Sequence, residues 1–160
     1  MSFETDIASL RGAFNGDSEL VRLVLLLSPT CEECLRGASE VDRLVLRRVQ
    51  SDELAVLAVW LPMLEDDDEF AVREASGSYL LDPRVKHFWD AEGDLQWRYS
   101  GLLNLPENQP AWDIYMLFQQ GTIWQEDPPR PDFWMHQLAV DSAPALDPVR
   151  LSREIEKLLD

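Results

Sequence analysis

The chain has 160 residues, of which 46% are hydrophobic, a length and composition that suit one domain with a sizeable core. We therefore expect residues 1–160 to form a single domain. Thirty acidic residues against fourteen basic ones give a formal net charge of −16. A surface of this charge repels nucleic acid and anionic lipid, so the composition argues against both as partners.

The sequence predicts neither a membrane span nor a secretory signal. The longest apolar run, Leu23 to Leu27, is far too short to cross a bilayer. The first residues carry acids where a secretory signal carries positive charge, and no apolar region follows them. We therefore expect a cytoplasmic protein. In that reducing compartment two cysteines suggest redox or metal chemistry more than a structural disulfide.

The first half of the chain predicts a helix followed by two buried strands that flank a second helix. Apolar residues recur at helical spacing from Phe3 to Phe14, and Gly16 follows as a stop signal. Pro29 ends the first strand because proline has no N–H for the sheet. Two buried strands joined through a helix are expected to pair in parallel. The predicted elements are a helix over 3–16, a strand within 19–28, a helix over 32–49 and a strand over 54–61.

Five acids in succession, from Glu65 to Glu69, lie at the predicted start of a short helix. The helix dipole favours negative charge there, so we interpret the run as a solvated cap and not as a metal site. A calcium loop is excluded, because its alternating spacing and its glycine are absent.

The second half predicts a mixture of short elements that ends in an amphipathic helix. Asp147 is placed to cap that last helix, and Pro148 suits its first position. Its apolar face consists of Leu151, Ile155, Leu158 and Leu159. The other predicted elements are a strand over 85–89, a turn over 91–94, a helix over 95–103, a β-hairpin of 114–118 and 122–124, and a proline-containing loop over 126–132.

The strongest chemical signal is the pair Cys31 and Cys34, which lies between a buried strand and an amphipathic helix. Residues three apart on a first helical turn lie within disulfide reach, so the pair can close and open with little backbone movement. Cys31, at the helix start, is the expected exposed nucleophile, because the helix N-terminus favours a thiolate. Cys34, one turn further, is the expected resolving thiol.

This motif and the order of the elements resemble the thioredoxin-like superfamily. The resemblance implies an α/β fold in which helices flank a central mixed sheet. It also implies thiol–disulfide exchange with protein or small-molecule thiols and disulfides. The segment Pro131 to Leu138 likewise resembles a segment near the end of bacterial thioredoxin-like proteins whose role is unassigned. The sequence lacks a glycine-rich phosphate loop, a G-x-S-x-G elbow and an H-E-x-x-H helix, so we expect no cofactor.

Several positions depart from the thioredoxin pattern. Thr30 stands where thioredoxins carry tryptophan, and Leu25 stands where they carry a buried aspartate that shuttles protons. Asp113 falls near the place of their cis-proline. If Asp113 faces the sulfurs, its charge opposes thiolate formation, and so do Glu32 and Glu33. We therefore do not expect a strongly oxidising pair.

Two alternatives stay open beside redox chemistry: a soft-metal site on the same cysteines, and a redox-silent module that binds a partner. A metal site needs two further ligands, and neither His87 nor His136 has ligand spacing to the cysteines. We therefore predict no metal. Trp112 and Trp134 flank segments that could border the cysteines. The predicted site-lining residues are Thr30, Glu32, Glu33, Trp112 and Asp113.

Overall fold

The computed structural model describes residues 6–160, so the predicted contribution of Phe3 to the first helix lies outside the described residues. Five strands form one sheet in the order β3-β2-β1-β4-β5. The strands are β1 (Val21–Leu27), β2 (Leu54–Trp60), β3 (Val85–Trp89), β4 (Ile114–Phe118) and β5 (Phe133–His136). The α-helices are α1 (Ile7–Gly16), α2 (Glu32–Val41), α3 (Glu69–Ser76), α4 (Asp94–Leu102) and α5 (Pro148–Leu159).

The predicted strand–helix–strand unit around the cysteines is confirmed. β1 and β2 pair in parallel, from Val21 opposite Leu54 to Leu27 opposite Trp60. Every residue of both strands is buried, as expected for strands covered on both faces. The predicted helix over 32–49 is divided, because the α-helix ends at Val41 and one π-helical turn, Asp42–Leu46, continues it.

Successive side chains of β1 point to opposite faces of the sheet, and the core therefore has two layers. Leu23, Leu25 and Leu27 face the layer that also contains Cys34, while Val24 and Leu26 face the other. Apolar residues of α2, α3 and α5 cover the first layer, and those of α1 and α4 cover the second. This mixed sheet with helices on both faces confirms the predicted fold class.

The C-terminal helix forms as predicted. Asp147 caps it by accepting hydrogen bonds from the N–H groups of Val149 and Arg150, at 3.1 Å each. Leu151 and Ile155 are fully buried against the same layer as Cys34. The predicted strand over 85–89 and helix over 95–103 also form, the helix one residue earlier.

The predicted hairpin is wrong in its second strand. β4 pairs with β5, antiparallel, from Ile114 opposite His136 to Leu117 opposite Phe133. Residues 122–124 turn towards α1 instead, where the N–H of Trp124 donates to Asn15 Oδ1 at 2.8 Å and Asn15 Nδ2 donates to the Trp124 carbonyl at 2.9 Å. The Asn15 side chain thus makes the hydrogen bonds to the Trp124 backbone that the partner strand of a hairpin would have made.

Within residues 6–160, no helix is both long enough and apolar enough to cross a membrane.

Candidate thiol site

The two cysteines lie at the carboxyl end of β1, where the chain enters α2. Cys31 is the N-cap residue, with φ −84° and ψ 118°, and its side chain makes no capping hydrogen bond. Its thiol is partly exposed, whereas Cys34 has an exposed fraction of 0%. The carbonyl of Cys31 accepts the hydrogen bond from the Leu35 N–H at 3.0 Å, which starts the helix. The helix thus places one accessible and one buried thiol one turn apart.

Both thiols are free. Burial is the largest cause that raises the pKa of the Cys34 thiol, and the charge of Asp113 raises it further. The backbone of Ser28 lowers this pKa and so acts in the opposite direction. Cys34 is therefore held in the protonated form.

Asp113 immediately precedes β4 and has a positive φ of 55°. Its side chain is 3% exposed. Oδ1 accepts a hydrogen bond from Tyr115 Oη at 2.7 Å, and Gln137 Nε2 lies 2.9 Å from Oδ1 and 3.1 Å from Oδ2. Burial raises the pKa of Asp113, and the hydrogen bonds from Tyr115 and Gln137 partly offset that effect.

Asp67 fixes the segment that precedes Cys31. Its Oδ2 accepts from Ser28 Oγ at 2.7 Å, and its Oδ1 accepts from Thr30 Oγ1 at 2.6 Å. Oδ2 also accepts from the N–H groups of Met63 and Leu64, at 3.0 and 2.8 Å. One carboxylate thereby joins the cysteine loop to the loop after β2.

This arrangement corrects the interpretation of the acidic run as a solvated cap. Asp68 does cap α3, since its Oδ1 accepts from the Ala71 N–H at 2.9 Å. Asp67 is instead 8% exposed and binds four donors from two loops. Those hydroxyl and backbone donors replace the water that would otherwise solvate it.

The remaining predicted site-lining residues differ in exposure. Glu32 and Glu33 are exposed on the first turn of α2, and Glu33 forms an ion pair with Arg36. Trp112 is partly buried, precedes Asp113 in the chain and contacts both core layers.

No family model and no curated protein matches the chain, but solved structures do. A secreted disulfide oxidoreductase of Mycobacterium tuberculosis, homologous to E. coli DsbE, is 16% identical with a TM-score of 0.57, over 94% of this chain and 86% of that one. A thioredoxin-like protein in its oxidised form is 20% identical with a TM-score of 0.57, over 88% and 78%. The thioredoxin domain of a Bacteroides vulgatus thiol-disulfide oxidoreductase is 13% identical with a TM-score of 0.50, over 91% and 84%. The chain has the thioredoxin-like fold.

Within this thioredoxin-like fold, the two histidines lie in the two edge strands of the sheet. His87 is buried in β3, where Trp60 Nε1 donates to its Nδ1 at 3.0 Å, and burial lowers its pKa. His136 is buried in β5, and the Leu138 N–H donates to its Nδ1 at 3.0 Å. Over residues 6–160, no three His, Cys, Asp or Glu side chains are grouped so that they could hold a metal ion.

Two site residues were missed from the sequence, Tyr115 and Gln137, which hold Asp113. Gln137 follows β5, and β5 itself was not predicted. Gly37 carried a usable signal, because a glycine inside a helix often marks a close approach. A Cβ at Gly37 would collide with the Tyr115 hydroxyl and lie 2.9 Å from Gln137 Nε2.

The predicted cytoplasmic location stays a prediction, and the M. tuberculosis neighbour is described as secreted.

Proposed function

We propose that the chain is a thiol–disulfide oxidoreductase in which Cys31 is the nucleophile and Cys34 the resolving thiol. One observation carries the proposal: a partly exposed thiol and a fully buried thiol lie three residues apart at the start of α2. A substrate can reach the first sulfur, while the second is positioned to attack the first. Several structural neighbours are named as oxidoreductases of this class, which supports the proposal.

The proposed reaction proceeds in two exchanges. The Cys31 thiolate attacks one sulfur of a substrate disulfide, which releases the first substrate thiol and leaves a mixed disulfide. Cys34 then loses its proton and attacks Cys31 Sγ, which forms the Cys31–Cys34 disulfide and releases the second substrate thiol. The protein dithiol is oxidised by two electrons, and the substrate disulfide is reduced by two. The reverse sequence oxidises a substrate dithiol.

The substrate class proposed is a protein or small-molecule thiol or disulfide, without a cofactor. We propose that Thr30, Glu32, Glu33 and Trp112 border the approach to Cys31, because they adjoin it or the buried Asp113. Fixed negative charge at Glu32 and Glu33 disfavours acidic substrates at this entrance.

The order of thiol modification tests the proposal. A limiting amount of iodoacetamide should alkylate Cys31 well before Cys34, since burial and the raised pKa protect Cys34. Peptide mass spectrometry of the reduced protein assigns the modified residue, with Cys31→Ser and Cys34→Ser as single-thiol controls. Modification of Cys34 first, or equal protection of both thiols, would exclude the assigned roles.

The metal-binding alternative is tested on the same preparation. Native mass spectrometry of the purified protein should show no stoichiometric zinc before or after incubation with one equivalent of zinc. A bound ion together with two protected thiols would replace the redox proposal with a metal site.

A further inference from the structure

A cavity of about 240 Å³ lies between the end of α2, with its π-helical turn, and the segment that joins α3 to β3. Arg43 and Arg47 line it from the first side, and Ser78 and Tyr79 line it from the second. Arg43 is nine residues beyond Cys34, which corresponds to about 13 Å along a helix axis. The cavity shares no lining residue with the thiol site described above, so the proposed redox chemistry does not use it.

The positive charge at this cavity contrasts with the rest of the chain, whose formal net charge is −16. Arg43 and Arg47 are exposed, and they line the cavity together with one carboxylate, that of Asp42. Within residues 6–160, the structure shows no ion pair between either of these arginines and a carboxylate. The neighbouring Arg48, by contrast, is paired with Glu156 at 3.3 Å. Two guanidinium groups are therefore available to a ligand.

Three hydroxyl groups also line the cavity, those of Ser39, Ser78 and Tyr79. Over the described part of the chain, residues 6–160, no hydrogen bond joins these hydroxyls to another protein group, whereas the hydroxyls of Tyr99 and Tyr115 donate at 2.9 and 2.7 Å. The ring of Tyr79 packs against the core layer that contains Cys34, so its hydroxyl has a fixed place. The cavity thus combines hydroxyl donors with the two guanidinium groups.

The wall formed by the segment before β3 is held rigidly. Leu80 lies between two lining residues and has a positive φ of 55°, a conformation that is unfavourable for leucine. The buried His87 holds it there. Its Nδ1 accepts from Trp60 Nε1 at 3.0 Å, so Nε2 carries the proton of the neutral ring and donates to the Leu80 carbonyl at 3.2 Å. The cavity is therefore preformed on this side.

We propose that the cavity binds the phosphate group of a small phosphate monoester. Guanidinium and hydroxyl groups donate to phosphate oxygens, and the guanidinium bonds are charge-assisted and often bidentate. The cavity is smaller than pockets for drug-sized ligands, which measure about 300–1,000 Å³, so it suits a phosphate with a small substituent. Leu81 is 56% exposed and lines the cavity beside the Tyr79 ring. These two side chains provide apolar surface for that substituent.

The experiment titrates the ¹⁵N-labelled native protein with phenyl phosphate, with inorganic phosphate and with benzoate, and follows the backbone amide signals by NMR. Sodium chloride keeps the ionic strength constant, so that general screening does not change. Phenyl phosphate should shift the signals of residues 39–47 and 78–81 in a saturable manner. It should bind more tightly than inorganic phosphate, because its ring contacts Leu81, and more tightly than benzoate, because phosphate has more charge and more acceptor oxygens.

Substitution of either arginine should weaken the binding of phenyl phosphate at least about tenfold, which is the effect of losing one hydrogen bond to a charged group. The variants are Arg43→Gln and Arg47→Gln, in which the Asp42 carboxylate also offsets the one remaining positive charge. Arg48→Gln is the matched control, since it changes the net charge equally but removes an arginine that is paired with Glu156. Its affinity should stay within about twofold of the native value. Amide spectra without ligand verify the fold of each variant.

The absence of a saturable shift at residues 39–47 and 78–81 would overturn the proposed site. An equal loss of affinity in Arg48→Gln and Arg47→Gln would also overturn it, because binding would then follow net charge alone. Benzoate or inorganic phosphate that binds as tightly as phenyl phosphate would overturn the assignment to a phosphate monoester.

Discussion

At the scale of single residues, two buried carboxylates from different loops set the surroundings of the thiols. Asp67 accepts four hydrogen bonds, two from the loop before Cys31 and two from the loop after β2, and Asp113 accepts from Tyr115 and Gln137. Asp67 therefore orders the approach to Cys31, and Asp113 acts on the buried Cys34. Either carboxylate can be replaced by the amide of asparagine, which has nearly the same size and no charge.

Asp67→Asn should lower the free energy of unfolding by about 1–3 kcal/mol, because an amide cannot accept from all four donors and leaves buried groups unpaired. Urea denaturation measures the change. Asp66→Asn, its exposed neighbour in the same acidic run, should leave the stability nearly unchanged. Equal effects of the two substitutions would show that Asp67 has no special part in joining the loops.

Asp113 should make the stability depend on pH. Its folded pKa is raised by burial, so the folded state binds this proton more tightly than the unfolded chain does. The stabilisation is complete below the unfolded pKa of about 3.9 and is lost as the pH rises through the folded pKa. Relative to the native protein, Asp113→Asn should therefore gain stability between acidic and neutral pH, as measured by urea denaturation across that range. A difference that does not change with pH would contradict the raised pKa.

At the scale of elements, α2 and β4 fit together only because Gly37 lacks a side chain. The Tyr115 hydroxyl occupies the position that a Cβ on Gly37 would take. A glycine in a helix normally costs about 0.5–1 kcal/mol relative to alanine. The absence of a Cβ leaves room for the Tyr115 hydroxyl, which donates to Asp113 Oδ1 at 2.7 Å.

Gly37→Ala should consequently destabilise the protein by about 1–3 kcal/mol, since an overpacked contact must displace its neighbours. Thermal or urea denaturation measures this, and adding Tyr115→Phe should restore part of the loss because it removes the colliding oxygen. Gly12→Ala in α1 is the matched control, where a Cβ meets nothing within 4 Å. That variant should gain about 0.5–1 kcal/mol. If Gly37→Ala instead stabilises the protein, the Tyr115 side chain can move aside at little cost, and the close contact does not limit the packing of α2 on β4.

The elements that were predicted correctly are those whose sequence patterns lie within the element or directly beside it. β1 and β2 contain the continuous apolar runs Leu23 to Leu27 and Leu54 to Trp60, each followed by a proline within two residues, and α5 has Asp147 as N-cap and Pro148 as its first residue. The hairpin failed because Thr122 to Trp124 has strand-like residues, yet the distant Asn15 binds the Trp124 backbone. Asp67 was misinterpreted for the same reason, since its hydroxyl partners lie nearly forty positions away in the sequence. Contacts of this kind depend on the completed fold and leave no local pattern.

At the scale of the whole molecule, the mixed sheet brings the site together from distant parts of the chain. The parallel pairing of β1 and β2 places the cysteine loop beside the loop that carries Asp67. The antiparallel pairing of β1 with β4 and of β4 with β5 brings Asp113 and Gln137 to the same end of the sheet. The cysteine motif was visible in the sequence, whereas this convergence depends on strand order.

The charge around the thiols gives an expectation for the redox potential. Exposed acids at Glu32 and Glu33 and the buried Asp113 disfavour a thiolate, and destabilising the thiolate favours the disulfide over the dithiol. The double substitution Glu32→Gln with Glu33→Gln should therefore raise the reduction potential, with a smaller effect at high salt because both acids are exposed. Equilibration with glutathione measures the potential, and an unchanged or lowered value would contradict this electrostatic account.

The most direct test of the central claim is a titration of free thiols in the native protein across a series of dithiothreitol redox buffers. We predict a single reversible two-electron transition, with the Cys31–Cys34 disulfide identified by mass spectrometry and a midpoint at roughly −270 mV or below. Two thiols that stay reduced across the whole series, or that oxidise only by joining two chains, would contradict the claim that this pair is a redox couple.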